Sequence, residues 1–294
     1  YWSGADGKVS WLSPSGEVKR LPPGQLGAIR NGHLIKLGPA VGSETVWDEN
    51  FEPQFDQADS AFPSLIEWLE RLNRIPFAES RPLRERFLAQ PADDARLAQL
   101  TESVVSLCVR SPMNRASAIS VAEHYRGSIP EPERSALIGL NMRQTQRAAS
   151  DAVKANAKFV VLYSPEAEFI FGDGFFNNVQ SPLNGMFLPR ILAPLTPNMA
   201  VLIARTMSYS PDPKLTTIVN SSAETESLNE AVQVYSANFI FSRSNPPEVS
   251  DHYRSGAHLR YDGPSTIDEL IHSIPGVPPR DRSLDGLREL MRRR

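Results

Sequence analysis

Asp173 is the carboxylate in this chain best placed for chemistry. It closes a short apolar run in "FIFGDGFFNN", residues 169–178, with Gly172 and Gly174 on either side. An aspartate where a buried strand ends offers two oxygen acceptors, which suit a hard divalent cation or a set of N–H donors. The flanking glycines let the backbone turn sharply and leave the carboxylate free of neighbouring side chains.

Other reactive residue types are sparse. His252 and His258 in "DHYRSGAHLRYD", with Asp251 and Asp262 beside them, are of the types that bind zinc or manganese. Their spacing does not put two ligands on one helical face, so a solvated loop is expected. His124 in "AEHYR" reads as a helix-surface or capping histidine. The single cysteine, Cys108, sits on an apolar helical face in "SVVSLCVRS" and reads as a buried, inert thiol. One cysteine also excludes a disulfide framework and a cysteine-based zinc site. "GADGKVS" lacks the spacing that wraps a phosphate in backbone N–H groups, and reads as a hairpin turn. The chain holds no GxSxG elbow, HExxH pair, EF-hand loop or GxGxxG after a strand. Asn220-Ser221-Ser222 reads as a helix-capping region.

The elements that would position Asp173 follow from periodicity. "DGKVSWLSPSGEVKRL" has two turns and two extended runs, a small hairpin, and "GHLIKL" adds a candidate third strand. "SLIEWLERL" places Leu65, Ile66, Leu69 and Leu72 on one helical face. Helical spacing continues through "RPLRERFLAQ", "DDARLAQLTESVVSLCVRS", "NRASAISVAEHYR" and a long segment from residue 131 to 157. At Lys158 the period switches to short β-branched and aromatic runs. "KFVVLYS" and "EFIFGD", joined by "PEA", read as an antiparallel pair, and "SAETESLNEAVQVYSANFIFS" reads as a capped helix entering a strand.

The expected fold class is α+β: a small N-terminal β-hairpin element over 1–45, a helical part over 46–157, and a β-rich part with a crossing helix over 158–245. These form one domain over 1–250, and 251–294 reads as a loop-rich extension ending in a helix. The hydrophobic share of 40% and charged share of 22% suit a sizeable core. A net charge of -3 gives no broad basic field, but leaves room for a local basic groove. No stretch approaches the ~18 apolar residues of a membrane span, and no charged start precedes an apolar signal core. A cytoplasmic protein with no membrane partner is expected.

Four segments taken in order, "LCVRSPMNR", "FIFGDGFF", "ILAPLTPNMAVLI" and "LNEAVQVYSANFIFS", resemble the DUF4238 family, a bacterial group named for its unknown function. The resemblance spans about residues 5–245. It implies that Arg110 and Pro112 match the family's helix-ending element, and that Asp173 matches its strand-end aspartate. It further matches Pro194-Leu195-Thr196-Pro197 to a strand entry and Asn229 to a helix start. Glu52 and Asp59 in "NFEPQFDQAD" resemble the family's acidic pair. Gly174-Phe175 stand where the family carries Asn-Pro.

That set allows three functions. In the first, Glu52, Asp59 or Asp173 binds Mg²⁺ or Mn²⁺ to activate water, Arg110 stabilises developing charge, and Asn229 completes a catalytic set with Asp173, giving a nuclease-like phosphodiester hydrolase acting on nucleic acid. In the second, Asp173, Arg110 and Asn229 are structural members of a non-catalytic binding or regulatory module. In the third, the same pocket takes a nucleotide or small metabolite.

Overall fold

The computed structural model describes residues 2–26, 53–179, 188–256 and 265–279. Glu52, the candidate strand at 32–37, His258, Asp262 and the expected terminal helix lie outside the described residues.

Strands β1 (Val9–Leu12) and β2 (Val18–Leu21) form the expected N-terminal hairpin, followed by a single turn of helix, α1 (Pro23–Leu26). Helix α2 runs over Pro53–Glu70, and its inward face is the one that periodicity marks: Leu65, Ile66 and Leu69 are buried. "RPLRERFLAQ" is not helical throughout. It makes a short 3₁₀ turn at Leu83–Glu85 and then β3 (Leu88–Gln90), because Leu88 to Gln90 pair with Thr217 to Leu215 far along the chain. That distant partner outweighs the local helix preference of Leu, Ala and Gln.

Helix α3 (Asp94–Arg110) begins at the Asp93 cap and ends at Ser111, which at once caps α4 (Pro112–Arg126) by accepting from Asn114 N. Pro112 takes the first helical position, where its missing N–H costs nothing. Helix α5 spans Glu131–Asn156, with Glu131 and Glu133 at the positive end of its dipole.

The β-rich half comprises β4 (Lys158–Tyr163), β5 (Phe171–Gly172), β6 (Arg190–Thr196), β7 (Met199–Ala204), β8 (Leu215–Val219), α6 (Ser222–Val234), β9 (Ile240–Ser242), α7 (Asp251–Ser255) and α8 (Ser265–Ser273). Among the described residues the strands make two sheets, ordered β3-β8-β4-β7-β6 and β2-β1-β9-β5. β4 and β8 run parallel, and the other pairs are antiparallel. β4 and β5 do not pair with each other, as the "PEA" connection suggested. β4 sits in the larger sheet, while β5 joins β9 through Phe171↔Phe241 and Gly172↔Ile240.

The architecture is therefore α+β, with the larger sheet covered on both faces. Phe159, Val161 and Tyr163 of β4 join α2, α3 and α5 in one core, while Val160 and Leu162 join α6 and α8 in another. Burial on both faces is why β4 and β7 read as unbroken apolar runs rather than alternating ones. Leu12, Ile240, Val232 and Tyr253 form a third core between the smaller sheet and α6–α7. Residues beyond 250, expected as a loop-rich extension, supply part of these cores: Tyr253, Ile267, Leu270 and Ile271 are all buried. A fully buried side chain of this size contributes about 1.5–3 kcal/mol.

Arg86 fastens the β8–α6 turn. It donates to both Glu224 oxygens at 2.8 and 2.7 Å and to Val219 O at 2.7 Å, while Ser221 and Glu224 form a reciprocal capping box. Burial alone would raise the Glu224 carboxyl. The Arg86 guanidinium and the Ser221 N–H outweigh it and hold the carboxyl below the usual range.

Candidate functional site

Gly172 and Gly174 are required for a reason the sequence alone did not reveal. Neither has a positive φ. Instead the end of α6 lies against them: a Cβ on Gly172 would fall 1.8 Å from Ser236 Oγ, and one on Gly174 2.0 Å from Tyr235 O. Ser236 Oγ is also 3.0 Å from Gly174 O, to which it donates. The glycines therefore seat β5 on the helix end.

Asp173, between them, is not free. Its Oδ1 accepts from Ala237 N at 2.7 Å, and its Oδ2 accepts from Asn238 N at 2.9 Å and Asn238 Nδ2 at 2.8 Å. Burial pushes its carboxyl above the usual range, and these three donors offset part of that push. The carboxylate thus holds the α6–β9 connection, and with it Phe239, against the end of β5.

Arg110 closes α3 and reaches α2. Its Nη1 donates to Asp59 Oδ2 at 2.8 Å, Nη2 donates to Asp59 Oδ1, and Nε donates to Ser106 O at 3.2 Å. The guanidinium also lies 4.9 Å from the Phe55 ring centroid. These contacts use three of the five guanidinium N–H groups and fix the plane, which leaves two for a ligand.

Asp59, Arg110 and Asp173 line one cleft of about 410 Å³. One wall is the α2–α3–α4 corner, with Phe62, Ser111 and Arg115. The other is the β5/β9 edge of the smaller sheet, with Phe171, Phe239 and Phe241. Phe171 and Phe241 are directly opposed across the strands, and Phe239 lies 4.9 Å from Phe241, so the rings share one face. The alternation in "NFIFS", Phe239 and Phe241 out with Ile240 in, was the available sequence signal for this wall.

Asn229 does not line the cleft. Its Oδ1 accepts from Ile170 N at 3.0 Å and its Nδ2 donates to Glu168 O at 2.8 Å, tying α6 to the strand that leads into β5. It is a positioning residue. Glu52 lies outside the described residues, and among those described no group of three or more His, Cys, Asp or Glu is placed to hold a cation. The described donors fit a Mg²⁺ or Mn²⁺ ion poorly, because both carboxylates are already satisfied, Asp59 by Arg110 and Asp173 by three N–H donors. Cys108 is buried, and its desolvated thiol is pushed far above the ordinary value, as an inert core cysteine should be.

A wider hollow, about 790 Å³, lies at the carboxyl ends of β4 and β8, where Arg74 packs 4.4 Å from the Tyr163 ring centroid. The Tyr163 hydroxyl donates to Leu69 O, and burial raises it to about 12, so it serves the core. No helix among the described residues is long and apolar enough to cross a membrane. Compared with protein-family models, curated proteins and solved structures, the chain finds no match.

Proposed function

We propose that this chain is a non-catalytic binding module whose cleft between α2–α4 and the β5/β9 edge takes a ring-bearing anion, with a nucleotide as the chemical class that fits. The observation that carries this reading is Arg110: a guanidinium held rigid by Asp59, Ser106 O and Phe55, with two N–H groups to spare, in a cleft walled by Phe62, Phe171, Phe239 and Phe241. A nucleobase stacks on such rings, and a phosphate meets the planar fork. The volume falls within the range of small-molecule clefts. On this reading Asp173 and Asn229 shape the aromatic wall rather than touch the reacting atoms of a substrate.

A metal-assisted phosphodiester hydrolase is the second reading. It rests on Asp59 and Asp173 lining the same cleft, and it requires both to release their present partners. Thermal unfolding with nucleoside monophosphates, with and without Mg²⁺, separates the two. Stabilisation without metal supports the binding module, and stabilisation only with metal supports the hydrolase.

A further inference from the structure

The parallel strands β4 and β8 end together at the hollow of about 790 Å³. The crevice beyond the carboxyl ends of parallel strands is where open α/β sheets take their ligands. Its two sides belong to opposite faces of the larger sheet. The end of α2 and the chain after it supply Glu70, Arg74 and Phe77, and α2 packs in the core that holds Tyr163. The connection after β4 supplies Glu166, whose Oε2 accepts from Ser222 Oγ at 3.3 Å. Ser222 begins α6, which packs on the other face of the sheet. Met199 and Val219 give the hollow an apolar lining between the two sides.

The charges here are left open to a ligand. The Arg74 guanidinium lies 4.4 Å from the Tyr163 ring centroid, a contact that uses its flat face and leaves its N–H edge. Burial is the chief reason the Tyr163 hydroxyl is raised; beyond it, Arg74 pulls the hydroxyl down and Glu70 pushes it up, so both charges stand beside one phenol. Glu67 and Arg71, at the same spacing three residues earlier, pair at 3.7 Å. Glu70 and Arg74 form no ion pair among the described residues. A donor edge and an acceptor edge side by side match the carboxylate and ammonium of an α-amino acid, which are adjacent in the same way. Glu166, across the apolar lining, calls for a second cation on the end of an aliphatic stem.

We propose that this hollow is a second binding site and that it takes a basic α-amino acid of the lysine type. Arg74 takes the carboxylate, Glu70 the α-ammonium and Glu166 the side-chain ammonium, while the methylene stem lies over Phe77, Met199 and Val219. Three ligand charges thus meet three of opposite sign. No lining residue is shared with the cleft of Arg110, so the two sites are independent.

The test is a ligand-observed ¹H NMR titration of the full chain with L-lysine, L-norleucine and cadaverine. Norleucine keeps the amino-acid head and the stem without the side-chain cation, and cadaverine keeps both ammonium groups without the carboxylate. L-Lysine is expected to bind about fivefold more tightly than either. Arg74→Gln should erase its advantage over cadaverine. Glu166→Gln should erase its advantage over norleucine and leave norleucine itself unchanged. Both side chains are exposed, so the melting temperature should stay that of the native chain. Phe241→Ala, which alters only the other cleft, should leave the lysine titration unchanged. The proposal is overturned if L-lysine shows no binding at millimolar concentration, if norleucine or cadaverine binds as tightly as lysine, or if neither Arg74→Gln nor Glu166→Gln alters the order of the three ligands.

Discussion

Arg110 and Asp59 meet as a two-point fork between the end of α3 and the middle of α2, with Nη1 to Oδ2 at 2.8 Å and Nη2 to Oδ1. The pair is lopsided in exposure: the arginine side chain is 16% exposed and the aspartate 44%. Solvent screening on the aspartate side keeps the contribution to stability small, about 0.5–1 kcal/mol. Asp59→Ala should therefore lower stability by about that amount in urea unfolding. Its larger effect is on orientation. Without the fork the guanidinium regains rotamer freedom, and nucleotide affinity should fall about fivefold, read by thermal shift at fixed ligand concentration.

The seating of β5 on α6 gives a sharper structural prediction. Gly174→Ala puts a methyl group 2.0 Å from the Tyr235 carbonyl oxygen, a backbone atom that cannot rotate away. A loss of about 3 kcal/mol, or failure to fold, is expected. Gly172→Ala meets the Ser236 side chain instead, at 1.8 Å from Oγ and 2.9 Å from Cβ. Combining it with Ser236→Gly should recover most of the lost stability. No second change should rescue Gly174→Ala in this way, and chemical denaturation of the three variants measures the difference.

Asp173 titrates in a predictable direction. Burial raises its folded-state pKa above the unfolded value of 3.8, so the folded chain holds the proton to higher pH than the unfolded chain does. Where the native state binds more protons, stability rises as pH falls. The stability of the native chain relative to Asp173→Ala should thus grow as pH drops from neutrality through the raised pKa, and level off below 3.8. Paired thermal melts across pH 3–7 isolate this, since every other titrating group is common to both chains.

The local parts of this molecule were legible in the sequence, and the non-local parts were not. The Leu65–Ile66–Leu69 face of α2, the Ser221 cap of α6 and the β1–β2 hairpin depend on residues a few positions apart. Arg110 at a helix end follows from Ser111-Pro112, which must start a new helix. By contrast, β3 pairs with β8 and β5 with β9, and short runs such as "FLAQ" and "FIFG" carry no mark of partners so far away. The role of the glycines around Asp173 was hidden for the same reason: Tyr235 and Ser236 reach them only after the chain has crossed the sheet. The alternation along "NFIFS" shows that Phe239 and Phe241 share a face, but not that Phe171 joins them.

The measurement that tests the account most directly is saturation-transfer NMR of adenosine 5′-monophosphate with the native chain and with Arg110→Gln and Phe241→Ala. Saturation of the purine ring protons is predicted in the absence of any divalent metal, with affinity reduced about tenfold by each substitution, one removing the anion's fork and the other a stacking ring. Absence of transfer to the purine ring, or transfer that survives both substitutions unchanged, would contradict a ring-bearing anion in the cleft of Arg110 and Phe241.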